Sequence, residues 1–203
     1  MSTVVPGPPD KPVISGIEPR ALVLTWAPPE DDGGSPILGY IVESKDKFSS
    51  RWTKQNIGLV RQPKFQVINM KEATDYEFRI LAENKAGMGE ASEPAVFKVS
   101  PPSAPGKPVV SEITAIKATV TWTPPESNGG CKITGYTVEK CDTETGNWVR
   151  CNRTPVKTLA ITLEDLIVTH KYQVRVYAEN KVGPGPASEP SASFIAKLPY
   201  GKL

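Results

Sequence analysis

The chain lacks most of what would mark it as a membrane protein, a nucleic-acid binder or an enzyme. No apolar run approaches the roughly 20 residues of a membrane-spanning helix, so none is expected. The opening MSTVVPGPPDKP has neither the charged start nor the apolar stretch of a secretory signal. Lys and Arg form no run: 12 basic residues face 13 acidic ones up to residue 100, and 12 face 9 beyond it. No nucleic-acid partner is expected from so balanced a charge. Histidine occurs once, at His170, with no Ser, Cys or acid recurring beside it, and a surface position is expected rather than a catalytic one. Sustained helical periodicity is missing, and 21 prolines and 16 glycines would interrupt helices throughout.

Cysteine is scarce and lopsided. Cys131, Cys141 and Cys151 all lie in the second half, at even spacings unlike the closely paired ligands of a structural zinc site. An odd number of cysteines favours free thiols and a reducing compartment. Cys141 and Cys151 could still meet across a hairpin. The acidic run Glu30-Asp31-Asp32 invites a calcium reading, but its later counterpart is Glu126-Ser127-Asn128, too weakly charged for a hard cation. No metal or cofactor is expected.

What the chain has is a repeat. RILAENKAGMGEASEP at residues 79–94 returns as RVYAENKVGPGPASEP at residues 175–190, an offset of 96. The same offset relates Trp26 to Trp122, Pro28-Pro29 to Pro124-Pro125, Gly33-Gly34 to Gly129-Gly130, Gly39-Tyr40 to Gly135-Tyr136, Trp52 to Trp148 and Tyr76 to Tyr172, without a gap. It places Ser35, Lys45 and Gln55 where the second copy has its cysteines, so no recurring disulfide holds this fold. A chain of this length then divides into two domains, each able to bury a core.

Within each copy the apolar period is two. Leu22, Leu24 and Trp26 share a face, as do Ala118, Val120 and Trp122. Leu38, Tyr40 and Val42 form a second set. Tyr76, Phe78, Ile80 and Ala82 form a third, matched by Tyr172, Val174, Val176 and Ala178, while Glu77 and Arg79 face out. Short strands punctuated by Pro-Pro, Gly-Gly and Asn-Lys turns predict an antiparallel β-sandwich of about seven strands per roughly 100 residues. Trp26 and Trp122 are its expected core residues.

TWAPPEDDGGSPILGYIVESKD, followed by Trp52 and YEFRILAENKAGMGEASEP, resembles a fibronectin type III domain, and residues 108–196 resemble a second. The Gly-Gly-x-x-Ile-x-Gly-Tyr-x-Val-Glu run and Ala-Glu-Asn-Lys resemble most the fibronectin type III repeats of giant sarcomeric proteins, above all the A-band region of titin; twitchins and myosin-binding protein C share much of the pattern. The resemblance implies an all-β fold of two tandem seven-stranded immunoglobulin-like sandwiches. It also implies a tyrosine corner at Tyr76 and Tyr172, with Met70, a departure from the usual Leu, and Leu166 at the preceding apolar position.

The repeated Asn-Lys-x-Gly-x-Gly segment is no phosphate loop, because no Gly-Lys-Ser/Thr lies between a strand and a helix. It suits a turn: Asn84 and Asn180 bond local backbone or adopt left-handed φ, and Gly87, Gly89, Gly183 and Gly185 supply positive φ. Sandwich loops also carry binding, so these six residues with Lys85 and Lys181 are the candidate partner-contacting set. Ser92 and Ser188 stand in a recurring Ser-Glu-Pro and are candidate exposed phosphorylation sites. Asn152-Arg153-Thr154 matches a glycosylation acceptor, but Pro155 follows and the first copy has Asn56-Ile57-Gly58.

SPPSAPGKP at residues 100–108 matches PGPPDKP at residues 6–12 in character, and KLPYGKL at the end has the same look. The expected division is therefore 6–100, a Pro-rich linker 101–105 with Pro101, Pro102 and Pro105, and 106–198. Such linkers are semi-rigid. The resemblance implies a non-catalytic cytoplasmic scaffold in the sarcomere A-band, a molecular ruler meeting myosin and other thick-filament proteins through weak repeated contacts. The alternative is a ligand-binding ectodomain pair of a receptor or adhesion protein; a third reading is an elastic spacer.

Overall fold

The computed structural model describes residues 2–198; Pro199 onward, where KLPYGKL was expected to open a further segment, lies outside them. The chain divides into two compact units between Val99 and Ser100. No helix occurs among the described residues. In the first unit β1 (Val13–Glu18), β2 (Ala21–Thr25) and β5 (Lys64–Val67) form one sheet in the order β1-β2-β5. Opposite it, β3 (Gly39–Asp46), β4 (Thr53–Lys54), β6 (Tyr76–Asn84) and β7 (Gly87–Ala91) run in the order β4-β3-β6-β7, and β8 (Ala95–Phe97) also pairs with β6. Every pairing is antiparallel.

The second unit repeats the plan. Its smaller sheet holds β9 (Val109–Ser111), β10 (Ala118–Thr121) and β13 (Ala160–Leu163). Its larger sheet holds β11 (Ile133–Asp142), β12 (Trp148–Arg150), β14 (Lys171–Asn180), β15 (Pro184–Ala187) and β16 (Phe194–Ile195). In both units the final strand is broken in two, which reconciles eight segments with seven strands.

The break has a chemical filler. Ser92 lies between β7 and β8, where its N–H reaches the Ile80 carbonyl at 2.8 Å and its Oγ accepts the Ile80 N–H at 3.0 Å. Ser188 does the same for Val176, and Ser191 for Val174. A hydroxyl thus replaces the carbonyl that a continuous strand would supply. Both candidate phosphorylation serines are consequently buried, not exposed: Ser92 is 5% accessible and Ser188 4%.

The period-two pattern becomes the core. Leu22, Leu24, Trp26, Tyr40, Val42, Phe78, Ile80 and Ala82 are buried between the first unit's sheets, and Ala118, Val120, Trp122, Tyr136, Val138, Val174, Val176 and Ala178 between the second's. Each Trp packs edge-on to a Tyr, Trp26 to Tyr40 at 5.4 Å and Trp122 to Tyr136 at 5.5 Å between ring centroids. Leu38 departs from the expected alternation and is exposed. Leu38 N and Gly39 both face Glu83, so one extra residue enters before β3 and Ile37 turns inward instead.

The corner before β6 carries two left-handed residues, Asn69 (φ 58°) and Ala73 (φ 53°), and the second unit puts Asp165 (φ 54°) and Thr169 (φ 72°) at the same offsets. The coil they make brings Lys71 N–H to the Tyr76 hydroxyl at 2.8 Å and Ile167 N–H to the Tyr172 hydroxyl at 3.0 Å. Met70 and Leu166 are buried beside them. These are the implied tyrosine corners.

Candidate functional site

The candidate loop residues lie at one end of each sandwich, and a proline-containing strap lies against that end. Pro6, Pro9 and Pro12 are buried, as are Pro102, Pro105 and Pro108. A spacing of three is the period of polyproline II, which turns one edge of an extended chain toward the sandwich. Backbone bonds at intervals fix the strap: Val4 N to Gly33 O (3.0 Å), Gly7 N to Asp31 O (2.9 Å) and Asp10 N to Ala27 O (3.2 Å). In the second unit the matching bonds are Ser100 N to Gly129 O (2.9 Å), Ser103 N to Ser127 O (2.9 Å) and Gly106 N to Thr123 O (3.1 Å). Of the expected linker prolines, Pro102 and Pro105 are therefore packed against the second unit, and Pro101 is exposed.

Asn84 and Asn180 tie the strap down. Asn84 is 2% accessible, and its Nδ2 donates to the carbonyls of Val4 and Asp32, both at 2.7 Å, while Oδ1 accepts Ala86 N–H at 2.8 Å. Asn180 Nδ2 donates to Ser100 and Asn128, both at 2.8 Å, and its Oδ1 accepts from Val182 and Gly183. One amide side chain thus joins three segments that are far apart in sequence. Neither Asn has a positive φ.

Gly87 (φ 129°) and Gly183 (φ 151°) supply the expected positive φ. Gly89 and Gly185 do not; they are glycine for space. A Cβ on Gly89 would collide with the Pro6 carbonyl, and one on Gly185 with the Pro102 carbonyl. Lys85 and Lys181 are exposed at the loop tips. The structure therefore separates the candidate set: the lysines face solvent, and the asparagines, with Gly89 and Gly185, hold the strap.

A second recurring feature was absent from the sequence expectations. On the outer face of the larger sheet, the Arg79 guanidinium lies 4.2 Å from the Trp52 ring centroid and its Nε is 2.7 Å from Glu43 Oε2. Lys45 Nζ also sits 4.9 Å from that ring. In the second unit Arg175 is 4.2 Å from Trp148, and its Nη2 is 2.7 Å from Glu139 Oε2. There Tyr177 adds a further ring, 5.4 Å from Arg175, and donates its hydroxyl to Glu139. Partial burial, reinforced by the Glu139 charge, raises the Tyr177 phenol above its ordinary pKa. The signal was legible as an Arg and a Trp recurring at the repeat offset on outward positions.

Two further pairs occupy equivalent places in the two units. Asp46 bonds Lys71 at 2.8 Å, which holds the carboxyl below its usual range and the ammonium above its own. Asp142, the equivalent acid, bonds His170 Nδ1 at 2.6 Å, and His170 lies in the loop before β14 with its side chain partly exposed. That bond, helped by the Glu144 N–H, lowers the Asp142 pKa.

Asn56 and Asn152 are also equivalent. Each Oδ1 accepts a strand N–H, from Val42 and Val138 respectively, at 2.8 Å, and each Nδ2 donates to the Tyr40 or Tyr136 carbonyl. The apparent glycosylation acceptor is thus a structural asparagine whose amide is engaged. All three cysteines are free. Cys141 stands opposite Trp148, whereas Cys151 N–H bonds Val138 O, so the two thiols occupy different rungs of the hairpin. Burial raises the Cys151 thiol pKa.

Two antiparallel sandwiches with tyrosine corners and broken last strands define a class of all-β tandem. The sequence profile described as "Fibronectin type III domain" matches residues 7–98 and 103–194, and the chain belongs to that family, in two tandem copies. It is 35% identical over 184 residues to human cardiac-type myosin-binding protein C, covering 89% of this chain and 14% of that protein. It is 35% identical over 196 residues to Drosophila melanogaster titin, covering 93% of this chain and 1% of that one. The chain thus spans only a small part of the curated relatives it matches. Among solved structures, titin domains A168-A170 align over 96% of this chain and 62% of that one, at 25% identity and a TM-score of 0.48.

Proposed function

We propose that this tandem is a non-catalytic scaffold segment of a giant muscle protein, working in the cytoplasm at the sarcomere A-band. The observation that carries the reading is the repeat itself: two units of one length place the same features, exposed Lys85 and Lys181 at the tips and the partly buried Trp–Arg–Glu clusters on the sheets, at an interval of 96 residues. A surface that recurs at a fixed interval suits a partner that is itself periodic. The similarity to myosin-binding protein C and titin supports myosin and other thick-filament proteins as that partner. Each contact is weak, and many in series bind by effective concentration rather than by any one strong site. The segment then acts as a ruler with protein partners alone.

Cosedimentation of this chain and of a several-repeat concatemer with reconstituted myosin filaments tests the reading. Binding is expected to strengthen with repeat number, and Lys85→Glu with Lys181→Glu to weaken it. Failure of the concatemer to sediment, under conditions that retain myosin-binding protein C, overturns it.

A further inference from the structure

The sequence contains one Asn-Gly dipeptide, Asn128-Gly129, and the fold puts it directly under the second strap. Asn followed by Gly is the pair least hindered in forming a cyclic imide, because no side chain shields the attacking nitrogen. In a free chain the deprotonated Gly129 nitrogen attacks Asn128 Cγ, a new N–Cγ bond forms, the carboxamide C–N bond breaks, and ammonia leaves with the proton. Water then opens the imide at either carbonyl. Attack at Cγ gives Asp; attack at the main-chain carbon gives isoaspartate, with the backbone rerouted through the side chain.

In the folded unit the attacking nitrogen, the carboxamide oxygen and the carbonyls on either side of the bond are tied. Gly129 N–H donates to Ser127 Oγ at 3.1 Å, and Asn128 Oδ1 accepts Gly130 N–H at 2.9 Å. The Asn128 carbonyl accepts Asn180 Nδ2 at 2.8 Å, and the Gly129 carbonyl accepts Ser100 N–H at 2.9 Å. Gly129 is buried at φ 71°, so close beneath the strap that a Cβ would collide with the Ser100 carbonyl. Ring closure therefore requires the strap to lift.

We propose that Asn128-Gly129 is a spontaneous modification site, converting the carboxamide to Asp or isoaspartate through the imide, that the docked Ser100–Pro105 strap holds closed. The two products have opposite structural fates. Asp is already accommodated: the first unit has Asp32 at this position, and its Oδ1 accepts Gly34 N–H at 2.8 Å. Isoaspartate inserts a methylene into the backbone and displaces the carbonyl that Asn180 grips. It thereby loosens the strap that restrained it. The site reports how often the strap has been open, and the second unit alone carries it in amide form.

The test is a time course of the full chain at 37 °C in mildly alkaline buffer, natively and in urea, read by peptide mass mapping and isoaspartyl-methyltransferase labelling. Residues 128–129 are expected to convert about tenfold or more slowly in the native chain than in urea, as a position reached only by local opening. Asn180→Ala should accelerate native conversion, and Asn84→Ala, the same change in the first unit, should leave it unaltered. Pro102→Gly loosens the strap without touching the asparagine clamp and serves if Asn180→Ala unfolds the unit, which circular dichroism reports. Equal rates in buffer and urea overturn the proposal, as does a folded Asn180→Ala or Pro102→Gly chain converting no faster than the parent. Absence of conversion in urea overturns it as well.

Discussion

The two units are a controlled comparison within one chain, since the same fold is built twice and the side chains are free to differ wherever the fold permits. Positions that stayed the same include those that hold the fold together: the core Trp, the corner Tyr, the strap-gripping Asn84 and Asn180, the hairpin Asn56 and Asn152, and the gap-filling Ser92 and Ser188. Where the units differ, one role passes between chemistries. The cation bonded to Asp46 is Lys71, yet Asp142 is met by His170, from a position three residues further along the corner. Left-handed Gly16 (φ 54°) becomes Glu112 (φ 49°), a side chain in a conformation that favours glycine. Recurrence at 96 residues therefore marks architecture first. Candidate contacts must be sought among residues that recur and are also exposed.

Mutations in equivalent pairs sharpen or break this equivalence. The largest effect is expected in the cores: Trp26→Ala and Trp122→Ala should each cost about 3–5 kcal/mol in the unit that carries the change. Denaturant unfolding followed by circular dichroism measures this, and a markedly smaller loss in one unit would show that the two cores are not equivalent. Next come the hairpin asparagines. Asn56→Ala and Asn152→Ala each strand a strand N–H and a carbonyl, at about 1–3 kcal/mol, with the greater loss at the more buried Asn56. Equal losses would mean that burial at this position does not set the cost.

Arg79→Ala and Arg175→Ala are smaller, about 0.5–1 kcal/mol for the cation–π contact at a partly exposed site. Arg175 meets two rings and should lose more than Arg79. A double-mutant cycle with Trp52→Ala or Trp148→Ala isolates the term. The smallest expected effect is on pH dependence. Asp46 and Asp142 are both held below their ordinary pKa, so the stability each contributes is present above about pH 4 and is lost as the pH falls through the folded value. Raised Lys71 contributes below about pH 10.4 and loses its share above that, as the pH rises through its folded value. Acid titration of Asp46→Asn and Asp142→Asn should flatten the acid limb of the respective unit, and alkaline titration of Lys71→Met the other limb.

Much of the fold was legible because a half-buried strand writes period two into the sequence and the repeat wrote it twice. Leu38 escaped the pattern because an extra residue opposite Glu83 shifts the phase, which alternation alone does not encode. The candidate site was legible only in part. Asn84 and Gly89 looked like turn residues because turn chemistry favours their types, but their partners, Val4 and Pro6, are about 80 residues away in sequence. Ser92 looked exposed because a hydroxyl that completes a sheet ladder has the same letter as one in water. The strap did leave a signal, Pro6-Pro9-Pro12 against Pro102-Pro105-Pro108, hidden by reading those prolines as a spacer.

The strap also sets a timetable. Its residues are the first of their unit to leave the ribosome, yet the carbonyl of Val4 waits for Asn84 and that of Ser100 for Asn180, each 80 residues later. Closing so long a loop is costly until the rest of the sandwich has collapsed. The proline segment is therefore clamped late in its unit's synthesis, only once the turn into the final strand has emerged. In a chain made of such units, completion of one is signalled at its own beginning.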